Sequence, residues 1–214
     1  MITIADHTLS RLVAQTKPHI AGKYDPETLQ SICFDHDGRY LYAMATNRYT
    51  LAVSRTQIMG GTDERWTAII HRTQVAELGA AIRLLDTAKV NLERTDTQLV
   101  LSGERGSRIA IDLTQPDKDP LDWRKPLLDA LEKPAAESDM AMTPKYFGAW
   151  KDLPGPVRMW STGEGRPTVI VAADFVGMQM PVRRDGDDLT LRREMDAWLA
   201  AKREEPEAAT PAAA

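Results

Sequence analysis

Few side chains in this sequence have the type and spacing that chemistry requires. The histidines His7, His19, His36 and His71 lack the close spacing, such as H-E-x-x-H, that places two imidazoles on one metal ion. Asp35-His36-Asp37-Gly38 matches the opening of a calcium-binding EF-hand loop, but the later ligands and the bidentate Glu are missing. The stretch therefore reads as an ordinary turn. Gly103-Glu104-Arg105-Gly106 and Gly163-Glu164-Gly165-Arg166 fall between expected strands and read as hairpin turns rather than phosphate cradles. The sequence contains no G-x-x-x-x-G-K-[ST], no G-x-G-x-x-G and no G-x-S-x-G. Cys33, the only cysteine, sits among alternating apolar residues and is expected to be a buried small hydrophobe. A single cysteine also rules out an intramolecular disulfide and a cysteine-based zinc cluster. We expect no catalytic residue, no metal, no cofactor and no enzyme.

The elements that could position a binding site are easier to read. Ile2 and Ile4 predict a strand, and Leu9, Leu12, Val13 and Ile20 a helix that Pro18 and Gly22 end before Tyr24. A period of two then marks strands at Ile32 and Phe34, at Leu41, Ala43 and Ala45, and at Tyr49, Leu51 and Val53. The plan repeats. A strand runs from Trp66 to Ile70, and Thr73 caps a helix with Val75, Leu78, Ile82 and Leu85 on one face. Strands follow at Val90 and Leu92, at Leu99 and Leu101, and at Ile109, Ile111 and Leu113. A third unit starts with a strand at 139–142 and a helix opened by Thr143-Pro144, with Phe147 and Trp150 inward and Pro154-Gly155-Pro156 as its stop. Its strands contain Val157 and Met159, then Val169 and Val171, then Val176, Met178, Met180 and Val182. Residues 114–138, rich in Pro, Asp, Lys and Ala, read as a linker. Leu191, Met195, Trp198 and Leu199 form the stripe of an amphipathic C-terminal helix behind Asp188, and a disordered tail is expected beyond Pro206.

With 214 residues, 43% of them hydrophobic and 27% charged, the chain can bury a core. No apolar run reaches the roughly 18–20 residues of a membrane span, and MITIADHTLSR lacks the pattern of a secretory signal, so a cytoplasmic location without membrane contact is expected. A net charge of −4 argues against a nucleic-acid binder held by overall charge, although basic helices sharing one surface can still meet a polyanion.

Three stretches resemble the bacterial DNA polymerase III beta subunit, the sliding clamp. Leu29 to Val53 resembles its middle domain, with Ala45-Thr46-Asn47-Arg48-Tyr49-Thr50-Leu51-Ala52-Val53 in place of the family's ATDGHRLAV. Asp122-Trp123-Arg124-Lys125 is similar to its DYRR, and Phe175-Val-Gly-Met-Gln-Met-Pro-Val-Arg183 to the YVVMPMR that closes it. The resemblance implies an α+β sliding-clamp fold built from repeated strand–helix–strands halves. Residues 1–115 would be one complete domain like the family's second, 116–138 a linker, 139–184 a half domain like the end of its third, and 185–214 a C-terminal helix and tail. It also implies a replication or repair accessory protein whose helices face DNA and hold it weakly through phosphates, without base readout. Arg11, Lys17, Lys23, Arg72, Arg83, Lys145 and Lys151 lie on or beside the three helices. By the same resemblance, a pocket for apolar-aromatic peptides of polymerases or repair proteins would be lined by Leu29, Thr46, Arg48, Tyr49, Thr50, Leu51, Pro120, Lys125, Met178, Met180, Pro181, Val182 and Arg183.

The departures are specific. Arg48 replaces the turn's usual Gly, Asn47 replaces the acid before it, and residues 184–214 follow where the family ends. The three halves compare with the family's six per subunit, so ring closure and processivity do not follow from the resemblance, and a ring would demand a closed homo-oligomer. The rival reading is a clamp-derived module or decoy that binds clamp partners without encircling DNA.

Overall fold

In a computed structural model of the chain, residues 1–115, 121–134, 143–163 and 165–182 are described. The first half pairs β1 (Ile2–Ala5) and α1 (Asp6–Thr16) with β2 (Ser31–His36), β3 (Tyr40–Thr46) and β4 (Thr50–Gln57). After the two-residue β5 (Gly60–Gly61), the second half repeats this with β6 (Trp66–His71), α2 (Val75–Leu85), β7 (Lys89–Arg94), β8 (Gln98–Gly103) and β9 (Arg108–Asp112). The halves interlock, because the first strand of each joins the sheet of the other: β1 pairs with β7, and β6 with β2. One sheet has the order β5-β1-β7-β8-β9 and the other β10-β11-β12-β4-β3-β2-β6, where β10 (Arg158–Trp160), β11 (Thr168–Ala172) and β12 (Phe175–Gln179) come from the third unit. All strand pairs are antiparallel. Mixed helix and antiparallel sheet make this an α+β fold.

Side-chain alternation gives the seven-stranded sheet two apolar faces. Ile32, Phe34, Leu41, Ala43, Ala45, Ala68 and Ile70 join Leu9, Leu12 and Val13 of α1, Val75, Leu78 and Ile82 of α2, and Ile2, Leu92, Leu99 and Leu101 of the other sheet in the main core. Cys33, Met44, Leu51, Val53, Val169 and Met178 point the opposite way, under α3 (Arg124–Leu131), which contributes Leu127 and Ala130. Burial pushes the Cys33 thiol up to about 12, as fits a packed hydrophobe rather than a nucleophile.

Several local expectations change. The stretch expected as a linker contains α3. Thr73 does not cap α2: Gln74 holds that position and the Thr73 hydroxyl pairs with His71 Nδ1 at 2.9 Å. Thr143 starts α4 (Pro144–Phe147) with its backbone carbonyl, which accepts from Tyr146 and Phe147, rather than with its hydroxyl. Because that helix is a single turn continuing as a 3₁₀ turn over Gly148–Trp150, Trp150 is buried while Phe147 is exposed. Tyr49, Leu113 and Val157 fall just outside their strands. The expected strand at 139–142 and the C-terminal helix lie outside the described residues.

Trp150 seats the third unit. It packs with Ala52, Ile170, Ala172 and Phe175 on the inner face of the seam between β4 and β12, and its Nε1–H donates to Gln179 Oε1 at 2.6 Å. Gly177 makes this seat, since a Cβ there would meet Trp150 Cζ3 at 2.7 Å and the Leu51 carbonyl oxygen at 2.8 Å. Gly177→Ala should therefore destabilise the protein by about 1–3 kcal/mol in urea unfolding. Gly148→Ala, which meets nothing within 4 Å, should be near neutral. Equal effects would contradict this seating.

Candidate functional site

The hairpin from β3 to β4 is closed by side chains. Asn47 Oδ1 accepts from the Tyr49 N–H at 3.1 Å, the Thr50 N–H at 2.8 Å and the Thr50 hydroxyl at 3.0 Å. Thr46 Oγ1 donates to the Thr50 carbonyl at 2.8 Å. An acceptor is what the turn needs here, so Asn serves where an acid would. Arg48 takes the left-handed conformation at φ 71°, at about 1–2 kcal/mol of backbone strain, and its guanidinium lies 4.0 Å from Asp25. The turn lifts Tyr49 out of the strand, 53% exposed, where it stacks on Tyr146 with centroids 5.0 Å apart.

Beside this hairpin runs β12. The register sets Met178 opposite Leu51 and Gln179 opposite Thr50, and the Met180 N–H donates to the Tyr49 carbonyl at 2.7 Å, one bond beyond the strand. The seam thus gathers much of the expected pocket. Leu51 and Met178 are buried under α3 and can supply only its floor. Tyr49, Met180 and Val182 are exposed apolar surface at the same end, Pro181 is half-buried, and Lys125 stands exposed on α3. Leu29 is half-buried in the 3₁₀ turn before β2, where its carbonyl accepts from Ala21. Pro120 and Arg183 lie outside the described residues.

Polar groups pin the inner face of the seam. Ser54 donates to Gln15 Oε1 of α1 at 2.6 Å. Thr50 Oγ1, whose O–H donates to Asn47, lies 2.9 Å from His19 Nδ1, and the His19 ring lies 4.3 Å from that of Trp150. His19 Nε2 and Gln179 Nε2 are buried with no hydrogen-bond partner among the described residues. Of this polar set only Thr50 was among the expected site residues, and it was expected there as a pocket residue. The only signal of the set was polar residues at inward strand positions.

The expected DNA-facing residues divide. Arg11 is held elsewhere: it donates to the Arg55 carbonyl at 2.8 Å and lies 3.7 Å from Asp174, tying α1 to β4 and the β11–β12 turn. Lys17, Lys23, Arg72, Arg83, Lys145 and Lys151 are exposed. The outer faces of α1 and α2 themselves offer only Lys17 beside α1 and Arg83 on α2, with Glu77 nearby. The surface is sparse in cations.

No metal-holding group of acidic, histidine or cysteine side chains occurs among the described residues. Asp35 is engaged by Arg124 at 2.8 Å. Asp37 accepts the Arg39 and Tyr40 N–H groups, which outweigh its partial burial and hold its carboxyl below the ordinary value. Among the described residues, no helix is long and apolar enough to cross a membrane.

No protein-family model matches the sequence, and no curated protein matches it. Solved structures do match. The DNA polymerase sliding clamp from Bacillus subtilis superposes with a TM-score of 0.66 at 18% identity, over 86% of this chain and 64% of that one. A ligand-bound sliding clamp from Pseudomonas aeruginosa gives 0.67 at 15% identity, over 85% and 65%. The DNA polymerase III beta subunit from Thermotoga maritima gives 0.66 at 10% identity, over 87% and 65%. The fold is that of the sliding clamps, and the chain spans just under two thirds of the length of these structures.

Burial lowers the His19 pKa to about 4 from 6.5, against a smaller upward pull from the backbone of Ala149. A lowered histidine pKa stabilises the fold fully above pH 6.5 and progressively less as pH falls toward 4. Between pH 7.5 and pH 5 the native state should lose about 2 kcal/mol through His19. Urea unfolding at both values should show this loss in the wild type and a smaller one in His19→Gln. Equal losses would contradict the assignment.

Proposed function

We propose that this chain, with its sliding-clamp fold, is a clamp-like replication or repair accessory protein, a scaffold rather than a catalyst. It captures short apolar-aromatic peptides of polymerases or repair proteins at the β4–β12 seam. The observation that supports this reading is the register of the seam, which sets the exposed Met180 beside the exposed Tyr49 at the end of the buried Leu51–Met178 pair. Methionine at such a surface adapts to varied ligands, and tyrosine supplies a flat contact at small entropic cost. The working division of the chain keeps 1–115 as the complete domain, 139–184 as the half domain that supplies one wall of the seam, and 185–214 as a tail.

Fluorescence polarisation with a short peptide carrying Leu and Phe tests the site. Met180→Lys should weaken binding at least about tenfold by placing an amine in an apolar contact, with an unchanged circular dichroism spectrum because Met180 is 40% exposed. Unchanged affinity would overturn the placement. Leu51→Lys is the poorer test, since Leu51 is core and its loss would unfold the seam.

DNA contact is the second part of the proposal. Lys17, Lys23, Arg83, Lys145 and Lys151 are exposed, and Arg72 is exposed while donating to the Ala21 carbonyl, so binding through these cations should be sequence-independent, with a log–log salt slope between about −3 and −5. A slope near zero or a strong sequence preference would overturn this part. The sparse helix face and the engagement of Arg11 favour the rival reading of a partner-binding module that does not encircle DNA. Retention on closed circular but not linear DNA would decide for encirclement, and equal retention for the module.

A further inference from the structure

The strand β9 ends its five-stranded sheet, and among the described residues no strand lies on its other side. Its hydrogen-bond phase is set by its neighbour β8: the Gly103 N–H donates to the Ser107 carbonyl at 3.0 Å and the Leu113 N–H to the Thr97 carbonyl at 2.7 Å. Bonds alternate along an antiparallel pair, so residues 107, 109, 111 and 113 address β8, while Arg108, Ala110 and Asp112 direct their N–H and C=O groups outward. The side chains of these three are also exposed, on the face opposite the core that holds Ile111.

We propose that β9 pairs antiparallel with β9 of a second copy of this chain, with Ala110 on the two-fold axis. In that register Arg108 faces the partner's Asp112 and Asp112 the partner's Arg108, so an edge of opposite end charges becomes self-complementary. All three outward residues fall in hydrogen-bonded pairs, and the small Ala110 lets the strands meet at the axis. Other registers lose this match. A shift by two residues sets Arg108 against Ala110 or Thr114, and a shift by one turns the apolar Ile109–Ile111 face outward. The outer strand β10 (Arg158-Met159-Trp160) has a cation for Asp112 but no acid for Arg108, so head-to-tail pairing matches only one of the two charges. Charges normally protect an edge from association, and here their spacing selects one partner instead. Within one copy Arg108 lies 3.3 Å from Glu93 of β7, and Asp112 accepts from Gln98 of β8 at 2.9 Å, so pairing exchanges these exposed contacts on the β8 side for the partner's charges.

The inference stands apart from peptide and DNA binding, and its test needs neither ligand. Light scattering and sedimentation of the full chain in low salt, from about 1 to 100 μM, should show a dimer. Arg108→Asp and Asp112→Arg should each weaken dimerisation at least about tenfold by setting like charges opposite one another, and the double variant should restore it. Ala110→Pro, which removes an outward N–H without touching the β8 ladder, should also weaken it. A monomer throughout this range would overturn the proposal. So would a dimer indifferent to all four variants, or single-variant losses that the double variant leaves unrepaired. Circular dichroism checks that each variant is folded.

Discussion

The pairing of β12 with β4 is the constraint on which the rest of the structure depends. It makes β4 an interior strand with both edges satisfied and both faces covered: α1 and Trp150 lie over one face, and α3 over the other. Ala52 lets Trp150 approach from inside, and Leu51 and Val53 fill the space under α3. A slip of one residue would exchange these sets, placing Leu51 among Gln15, His19 and Trp150 and exposing Thr50 and Ser54 to an apolar helix. The buried polar bonds of Ser54 with Gln15, Thr50 with His19, and Trp150 with Gln179 oppose that slip, because each would lose its partner in a desolvated place. The candidate binding surface is a consequence of this register. Tyr49 and Met180 stand together because the ladder of β12 continues one bond past its strand onto the hairpin.

Much of this was legible in the sequence where the signal was periodic. Alternation at Ile32–Phe34, Leu41–Ala45 and Leu99–Leu101, and the helical stripes of α1 and α2, correspond directly to buried faces. The exceptions have local causes. Tyr49 continues the period of Leu51 and Val53, yet Asn47 takes up the N–H groups of Tyr49 and Thr50 and turns the chain before the strand begins. Phe147 has the spacing of an inward residue only for a helix longer than one turn. α3 was averaged away in a polar segment, although Leu127 and Ala130 are spaced to share one of its faces. Gly177 carries no periodic signal, and its reason, the Trp150 indole pressed on the backbone, lies far away in the chain.

The candidate site shows the same division. Tyr49, Thr50, Leu51, Met178 and Met180 of the expected set lie at the seam, but the sequence could not tell which of them are buried. Leu51 and Met178 owe their burial to α3, an element outside both motifs. Arg11 was grouped with the basic residues of the helices, and only the fold reveals Asp174 and the Arg55 carbonyl as its partners. Charge type was legible. Charge engagement required the tertiary structure.

The interlocking of the first two halves also explains why the sheet edges matter here. In the complete unit each half lends its first strand to the other, β1 to β7 and β6 to β2, so neither half closes its sheet alone. The third unit follows the same order of strands, and its β10 occupies the place that β2 and β7 hold in theirs, yet among the described residues β10 has β11 alone beside it. Among the described residues, β9 and β10 are thus two outer strands of different chemistry. The edge of β9 is charged at both ends and self-complementary, while that of β10 is apolar and cationic, with Met159 exposed. Two edges of unlike chemistry disfavour the head-to-tail contact that would repeat one interface around a ring, and favour contacts in which each edge meets its own kind.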